Sequence, residues 1–311
     1  MILAPMQGLT EVLFRRVYNH HFPSVFDYAV APFVSLTHGN LADATKKIDD
    51  ILPETNVGSI PVIPQILGKE PDEFIALGNR LADLGYTELN WNLGCPMRKV
   101  AAKHRGSGIL PFPNEVRRIL DTVIPQIKTD ISVKMRIGLT SRDEIFRLVP
   151  VLNDYPLKNV TIHPRLGRQQ YTGHPDLETF ANVLPLIKHP VIYNGDICTL
   201  EDYNTLTRRF SDIADVMIGR GVLYDPTLPL QIKSGKKFSP EEKKLSTALF
   251  IADLIKNINS ELPTDEAKLR KIKEYWCLLS RSLPITEQQA RTVLHASTLP
   301  QTQQLILDFI Q

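Results

Sequence analysis

Thr87-Glu88-Leu89-Asn90-Trp91-Asn92-Leu93-Gly94-Cys95-Pro96 runs from an extended stretch into a tight loop. Thr87 to Trp91 reads as a strand ending in a polar Asn. The chain then turns at Gly94 and presents one Cys. Pro96 disfavours the helical conformation in the residue before it, so no helix runs through Cys95. Cys95 is therefore predicted on a short loop at a strand's end, where a rigid scaffold can aim the sulfur. Arg98, Lys99, Lys103, His104 and Arg105 follow closely. A thiol beside a cationic loop fits a polyanionic substrate whose target must reach the sulfur. Taken alone, a single Cys is more often a small buried hydrophobe, and a basic run is more often a solvated face. The surrounding chain decides between these readings.

Seven further apolar runs resemble the one before Cys95: Ile2–Ala4, Tyr28–Ala31, Val62–Ile66, Ile131–Met135, Asn159–His163, Val191–Tyr193 and Asp215–Ile218. They are brief and several are β-branched, as buried parallel strands are. Amphipathic stretches separate them. Phe74, Leu77, Leu81 and Leu84 recur at helical spacing, with Pro71 at the start and Gly85 at the end. Glu115–Leu120, Arg142–Leu152, Leu177–Leu186 and Leu200–Arg208 behave similarly. Strand and helix in eightfold alternation predict an α/β protein with a (β/α)8 TIM barrel. A doubly wound open sheet is the alternative, but no Gly-x-Gly-x-x-Gly follows an early strand.

Beyond Arg220-Gly221 the pattern changes. A polar linker, Lys233 to Pro240, leads into helical sequence only. Leu245, Leu249, Ala252 and Ile255 form one stripe. Leu269, Ile272, Trp276, Leu279 and Leu283 form a second, and Thr302–Ile310 a last helix. The expected division is residues 1–235 for the barrel and 236–311 for a small C-terminal all-α helical domain. From Gln231 onward Lys and Arg outnumber Asp and Glu by 12 to 9, whereas the residues before it hold 24 against 25. That asymmetry favours an anionic partner at the C-terminal part.

The 311 residues are 43% hydrophobic, ordinary for a globular chain. Cys95, Cys198 and Cys277 lack the spacing of a zinc site, so no metal is expected, and a reducing cytoplasm is their natural setting. Ile2-Leu3-Ala4-Pro5 has no signal-peptide character. No stretch approaches the roughly 20 apolar residues of a membrane span. A cytoplasmic monomer is expected.

Barrel enzymes work at the C-terminal ends of their strands, and here those ends are polar in succession. Pro5-Met6-Gln7-Gly8 follows the first strand. Gln65 lies in the third, Asn92 and Cys95 end the fourth, and Lys134 and Arg136 lie in the fifth. His163-Pro164-Arg165 ends the sixth, Asn194-Gly195-Asp196 the seventh and Gly219-Arg220-Gly221 the eighth. The last two turns sit where this fold holds phosphates. Lys134 in an apolar strand needs an anionic or electron-rich partner. A flavin meets that need, with Gln65 and Asn92 at its ring edge. FMN is inferred rather than FAD, because no adenine-binding segment is visible.

Ala4-Pro-Met-Gln-Gly8, Gln65-Ile-Leu-Gly68, Asn92-Leu-Gly-Cys-Pro96, Val133-Lys-Met-Arg136, His163-Pro-Arg165, Asn194-Gly-Asp-Ile197 and Ile218-Gly-Arg-Gly221 together resemble the tRNA-dihydrouridine synthase family. The resemblance implies an FMN-dependent, NADPH-using oxidoreductase that reduces a tRNA uridine. It implies FMN contacts at Pro5, Met6, Gln65, Lys134, His163, Asn194, Asp196, Gly219 and Arg220, with Gln7 and Gly195 counted among the cofactor-binding residues, Cys95 as proton donor, and uridine or tRNA contact at Asn92, Arg165 and Tyr171. The segment Leu269–Leu279 is most similar to the bacterial C subtype, which implies uridine 16 of the D-loop. The family's usual acidic residue two before the loop Asn is here Asn90, and its usual small aliphatic is Trp91.

The expected chemistry transfers hydride from reduced FMN to C6 of uracil and a proton from Cys95 to C5. A thiol is mostly protonated at neutral pH and can act as an acid. The base must leave its stack to enter a barrel mouth. Arg98, Lys99, Lys103 and Arg105 would hold nearby phosphates. Lys271, Lys273 and Arg291 are expected to grip the tRNA from the helical domain, against the alternative of a solvated face. Two rivals remain at this point: a flavin barrel reducing a free pyrimidine or small enone, and a tRNA-binding folding factor.

Overall fold

A computed structural model describes residues 1–35 and 48–310. The strands are β1 (Ile2–Leu3), β2 (Tyr28–Val30), β3 (Val62–Ile63), β4 (Gln65–Ile66), β5 (Glu88–Leu93), β6 (Asp130–Gly138), β7 (Leu157–Leu166), β8 (Val191–Asn194) and β9 (Asp215–Ile218). All pair in parallel, in the order β3-β2-β1-β9-β8-β7-β6-β5-β4. The two sheet ends belong to one extended run. Val62 and Ile63 pair with β2, and Gln65 and Ile66 pair with β5. Pro64 lies between them and has no N–H to give, yet its carbonyl accepts from Asn90 N at 2.9 Å. That single run closes the sheet into the expected barrel, which counts eight strand positions because β3 and β4 share one.

The outer helices are α1 (Val12–His21), α2 (Pro71–Asp83), α3 (Arg98–Ala101), α4 (Pro113–Val123), α5 (Asp143–Leu152), α6 (Leu177–Val183), α7 (Leu200–Arg209), α8 (Arg220–Tyr224) and α9 (Leu228–Ser234). The α2 stripe behaves as its spacing predicts: Phe74, Leu77 and Leu81 are buried. Trp91 points outward from β5 onto Phe74, edge to face at 5.6 Å, and its indole N–H donates to Gly68 O at 3.0 Å. Trp91 is thus a wall between strand and helix.

Alternation along each strand sends the other residues into the barrel. The interior has two unlike halves. Ile2, Ala4, Val30, Ile192 and Met217 make a small apolar cluster from β1, β2, β8 and β9. Gln65, Asn90, Asn92, Ser132 and Thr161 form a buried polar half from β4 to β7. Two register shifts between β6 and β7 bracket the site strands, one of them between Arg136 and Gly138. Such bulges re-aim side chains.

Four helices follow: α10 (Pro240–Glu261), α11 (Asp265–Leu279), α12 (Glu287–His295) and α13 (Leu299–Ile310). The α10 stripe is corrected by the structure. Leu245 and Leu249 are 65% and 55% exposed, and the helix instead buries Thr247, Phe250, Ile251, Leu254 and Ile258. Apolar residues occur on more than one face of α10, so helical spacing alone selects the wrong one. Phe250 decides the matter by packing against Phe14 and Tyr18 of α1 at 5.7 and 5.8 Å. The second stripe holds, with Ile272, Trp276, Leu279 and Leu283 buried. The helices dock closely on the barrel: Tyr275 stacks on Phe14 at 5.8 Å, and its hydroxyl donates to Leu9 O at 2.7 Å. No helix among the described residues is long and apolar enough to cross a membrane.

Candidate active site

The polar half of the barrel opens into a cavity of about 370 Å³ at the strands' C-terminal ends. Pro5, Met6 and Gln7 line it from the first loop, Gln65 and Lys134 from the strands, and Asn92 and Cys95 from the end of β5. His163, Tyr171, Asn194, Gly195, Asp196, Gly219 and Arg220 complete the expected residues around it.

Cys95 is held from two sides. Asn92 Oδ1 accepts the backbone N–H groups of Gly94 and Cys95 at 3.0 and 2.9 Å. The Cys95 carbonyl accepts from Ser107 N at 3.0 Å and Ser107 Oγ at 2.9 Å. Gly106 sits so close that a Cβ there would lie 2.7 Å from Cys95 O, and its φ is +57°. Only glycine meets both conditions. Burial pushes the Cys95 thiol up, outweighing the Met97 backbone N–H and the Arg136 and Lys134 cations. A protonated thiol is the stable form at neutral pH.

Asn92 spends its other amide group inward. Its Nδ2 donates to Gln65 Oε1 at 2.7 Å, Gln65 Nε2 donates to Asn90 Oδ1 at 2.7 Å, and Asn90 Nδ2 donates to Ser132 Oγ at 2.9 Å. This chain of side chains sets the amide orientations and so aims Asn92 Oδ1 at the Cys95 loop. Asn90, in the acidic residue's usual place, is a link in that chain.

Lys134 is the register partner of Asn92 across β5 and β6. Its ammonium has no hydrogen-bond acceptor and no carboxylate partner among the described residues. Burial, with Arg136 nearby, lowers its pKa to about 7. An unpartnered amine facing a cavity is a site for an anionic or electron-rich ligand. Gly219 forms part of the wall: a Cβ there would press to 3.3 Å from Ala4 Cβ and 3.4 Å from Met6 Sδ.

Behind the cavity lies a charged lattice. Arg165 donates to Asp196 Oδ1 and Oδ2 at 2.8 and 2.5 Å, to Gly173 O at 2.6 Å, and to Thr172 O at 3.3 Å. His163 Nε2 lies 3.1 Å from Arg165 Nη1 and accepts from it. All five N–H groups of Arg165 are therefore engaged within the protein, two of them on the Thr172 and Gly173 carbonyls of the loop that follows Tyr171. Burial and four surrounding cations hold His163 neutral, well below its ordinary pKa. Asp196 also accepts from Arg220 at 2.6 Å, and the two guanidiniums keep its carboxyl below its usual range. Tyr171 is 61% exposed, with Arg136 and Arg220 at 5.5 and 5.7 Å from its ring. Arg136, which sequence reasoning placed on the rim without a role, lines the cavity. It donates to Gly94 O at 3.1 Å and Leu166 O at 2.9 Å.

The basic residues divide. Arg98, Lys99 and Lys103 are exposed and form no ion pair among the described residues. Arg105 turns inward: it faces Glu73 at 3.8 Å, and its Nε is buried without a partner among the described residues. In the C-terminal helices Lys271 donates to Gly8 O at 2.5 Å and Glu274 at 3.1 Å, with Glu11 at 3.7 Å. It is a strut between α11 and the first loop, not a free cation. Lys273 donates to Ala296 O, capping the end of α12. Arg291 pairs with Glu287 on an exposed helix face at 2.5 Å. Lys271 thus has protein acceptors on the first loop and on its own helix, and Lys273 has one, the Ala296 carbonyl.

Solved structures share the fold. The old yellow enzyme from Trypanosoma cruzi has a TM-score of 0.56 at 8% identity, covering 80% of this chain and 93% of its own. A morphinone reductase has a TM-score of 0.51 at 11% identity, covering 77% and 86%. At such identities the likeness concerns the barrel alone. Sequence relatives are more specific. The tRNA-dihydrouridine(16) synthase of Cupriavidus necator is 28% identical over 292 residues, 91% of this chain and 89% of that protein. That of Pseudomonas putida is 27% identical over 298 residues, covering 91% and 88%. The tRNA-dihydrouridine synthase B of Pasteurella multocida is 27% identical over 230 residues, covering 73% and 67%. A family profile described as Dihydrouridine synthase (Dus) matches residues 2–309. By that match, which spans every strand and loop of the site, the chain belongs to the dihydrouridine synthase family and is an oxidoreductase, a tRNA-dihydrouridine synthase.

Proposed function

We propose that this chain reduces the C5=C6 bond of uridine 16 in the D-loop of tRNA, using bound FMN and NADPH. The choice of uridine 16 rests on the names of the Cupriavidus and Pseudomonas relatives. The observation that carries the chemistry is that Cys95, whose thiol burial pushes toward the protonated form, lines the same cavity as the unpartnered Lys134.

Lys134, Gln65, Asn194 and the Gly219-Arg220 turn would hold the flavin, and Lys134 would neutralise negative charge on it. When bound, FMN supplies the two electrons that reach the uracil ring. Cys95 holds a proton at Sγ and gives it to C5, then regains one from solvent. Burial suits that role, since a thiolate has no proton to give. Asn92 fixes the loop that carries the sulfur. Tyr171, exposed between two guanidiniums, offers a ring face to the incoming base. Arg98, Lys99 and Lys103 are placed to meet phosphates without reading sequence.

Cys95→Ala tests the assignment. The variant is expected to retain FMN and oxidise NADPH while dihydrouridine formation falls by roughly 10²–10⁴, the usual worth of a general acid. Product at the wild-type rate would contradict the proton-donor role.

A further inference from the structure

The surface beside the Cys95 loop carries an aromatic pair that the reaction above does not use. His104 and Phe112 stack with ring centroids 4.3 Å apart and planes 13° from parallel. Phe112 is 41% exposed, and the His104 side chain 45%. His104 has φ +52°, a left-handed conformation that non-glycine residues rarely adopt. Its ring is anchored by Glu115 Oε2, 3.3 Å from Nδ1. The fold thus holds an aromatic pair at the surface against a backbone cost.

The segment that carries His104 is hydrogen-bonded to the Cys95 backbone. His104 N donates to Ala101 O at 3.0 Å, and Ser107, three residues on, donates twice to Cys95 O. Within six residues before His104 along the chain lie the exposed cations Arg98, Lys99 and Lys103. Exposed aromatic rings among unpaired cations form the surface that holds unpaired nucleotides: the rings stack on bases and the cations follow the backbone.

We infer that His104 and Phe112 form a stacking platform for an unpaired base flanking the nucleotide that enters the cavity. This rests on the proposed tRNA substrate. Extracting one base from a loop strips its neighbours of a stacking partner. An aromatic face a short distance along the backbone replaces that partner and holds the strand open.

The test measures affinity of the full-length protein for unmodified tRNA at several salt concentrations. Phe112→Leu keeps an apolar side chain but loses the ring. His104→Asn loses the ring but tolerates the left-handed backbone. Each is expected to weaken binding roughly five- to a hundred-fold, the worth of one base stacked on one ring. The slope of log affinity against log salt stays unchanged, because no phosphate contact is lost. Lys99→Ala, by contrast, lowers that slope by about 0.7–0.9. Phe112→Trp is expected to bind like wild type. Wild-type affinity in Phe112→Leu, or a loss that Phe112→Trp shares, overturns the platform and returns the pair to surface packing. If wild-type protein neither binds nor reduces tRNA, the proposed function falls first and the platform with it.

Discussion

Asn92 Oδ1 accepts the backbone N–H of Cys95 at 2.9 Å. One side chain near the end of β5 thereby fixes the residue whose sulfur is proposed to donate the proton. Its other amide arm is locked to Gln65. Asn92→Ala is expected to retain flavin, which has other holders, but to lose tRNA reduction by at least about 10², since a displaced acid costs nearly as much as an absent one. Asn92→Asp keeps an acceptor for the Cys95 N–H and should fall less. Flavin absorbance and dihydrouridine yield, measured on the same preparations, check this; equal losses in both variants would contradict the positioning role.

Lys134 gives a prediction with two opposite signs. Its folded pKa of about 7 lies below the ordinary lysine value of 10.5. Between those values the unfolded chain holds a proton that the folded chain releases, so folding stability rises with pH across that window. Below about pH 7 the penalty is fully present. Flavin-free Lys134→Met should therefore be more stable than flavin-free wild type at pH 7, by ~2–4 kcal/mol, with the gap closing toward pH 10. The same variant should retain less FMN. Chemical denaturation across pH and flavin content check both arms.

Cys95 sets a pH limit from the other side. Its thiol is pushed above the usual range by burial. The proposed donor is the protonated form, present below that pKa and lost as pH rises through it. Single-turnover reduction of tRNA by pre-reduced enzyme should be flat near neutrality and decline at alkaline pH. Cys95→Ala should lose the decline along with most of the rate.

Lys271 illustrates what a sequence hides. Its charge and helical position are equally compatible with gripping RNA and with bracing the barrel, and the Gly8 carbonyl at 2.5 Å with Glu274 at 3.1 Å favours bracing. Lys271→Met should destabilise the protein by about 1–3 kcal/mol, the worth of hydrogen bonds to a charged group. It should leave the salt dependence of tRNA binding unchanged. Thermal melts and binding at several salt concentrations separate the two effects.

The legible parts were those with local causes. Short β-branched runs, the turn at Gly94-Cys95-Pro96 and a lysine in an apolar strand each carry their reason in neighbouring residues. The polar interior was also within reach: Asn90 and Asn92 share one parity on β5, as Ser132 and Lys134 do on β6, and period two places each pair on one face. What was not legible depends on distant partners. Arg165 is consumed by Asp196 and two loop carbonyls. The buried face of α10 is chosen by Phe14 and Tyr18, more than 200 positions earlier in the chain.

The Cys95 cavity is proposed to reduce one specific uridine in tRNA. Unmodified tRNA transcript incubated with the purified protein, FMN and NADPH, followed by position-resolved mapping of dihydrouridine, tests it most directly. Dihydrouridine is expected at position 16, dependent on NADPH and lost in Cys95→Ala. Transcript recovered without dihydrouridine, while the same protein oxidises NADPH, would contradict it.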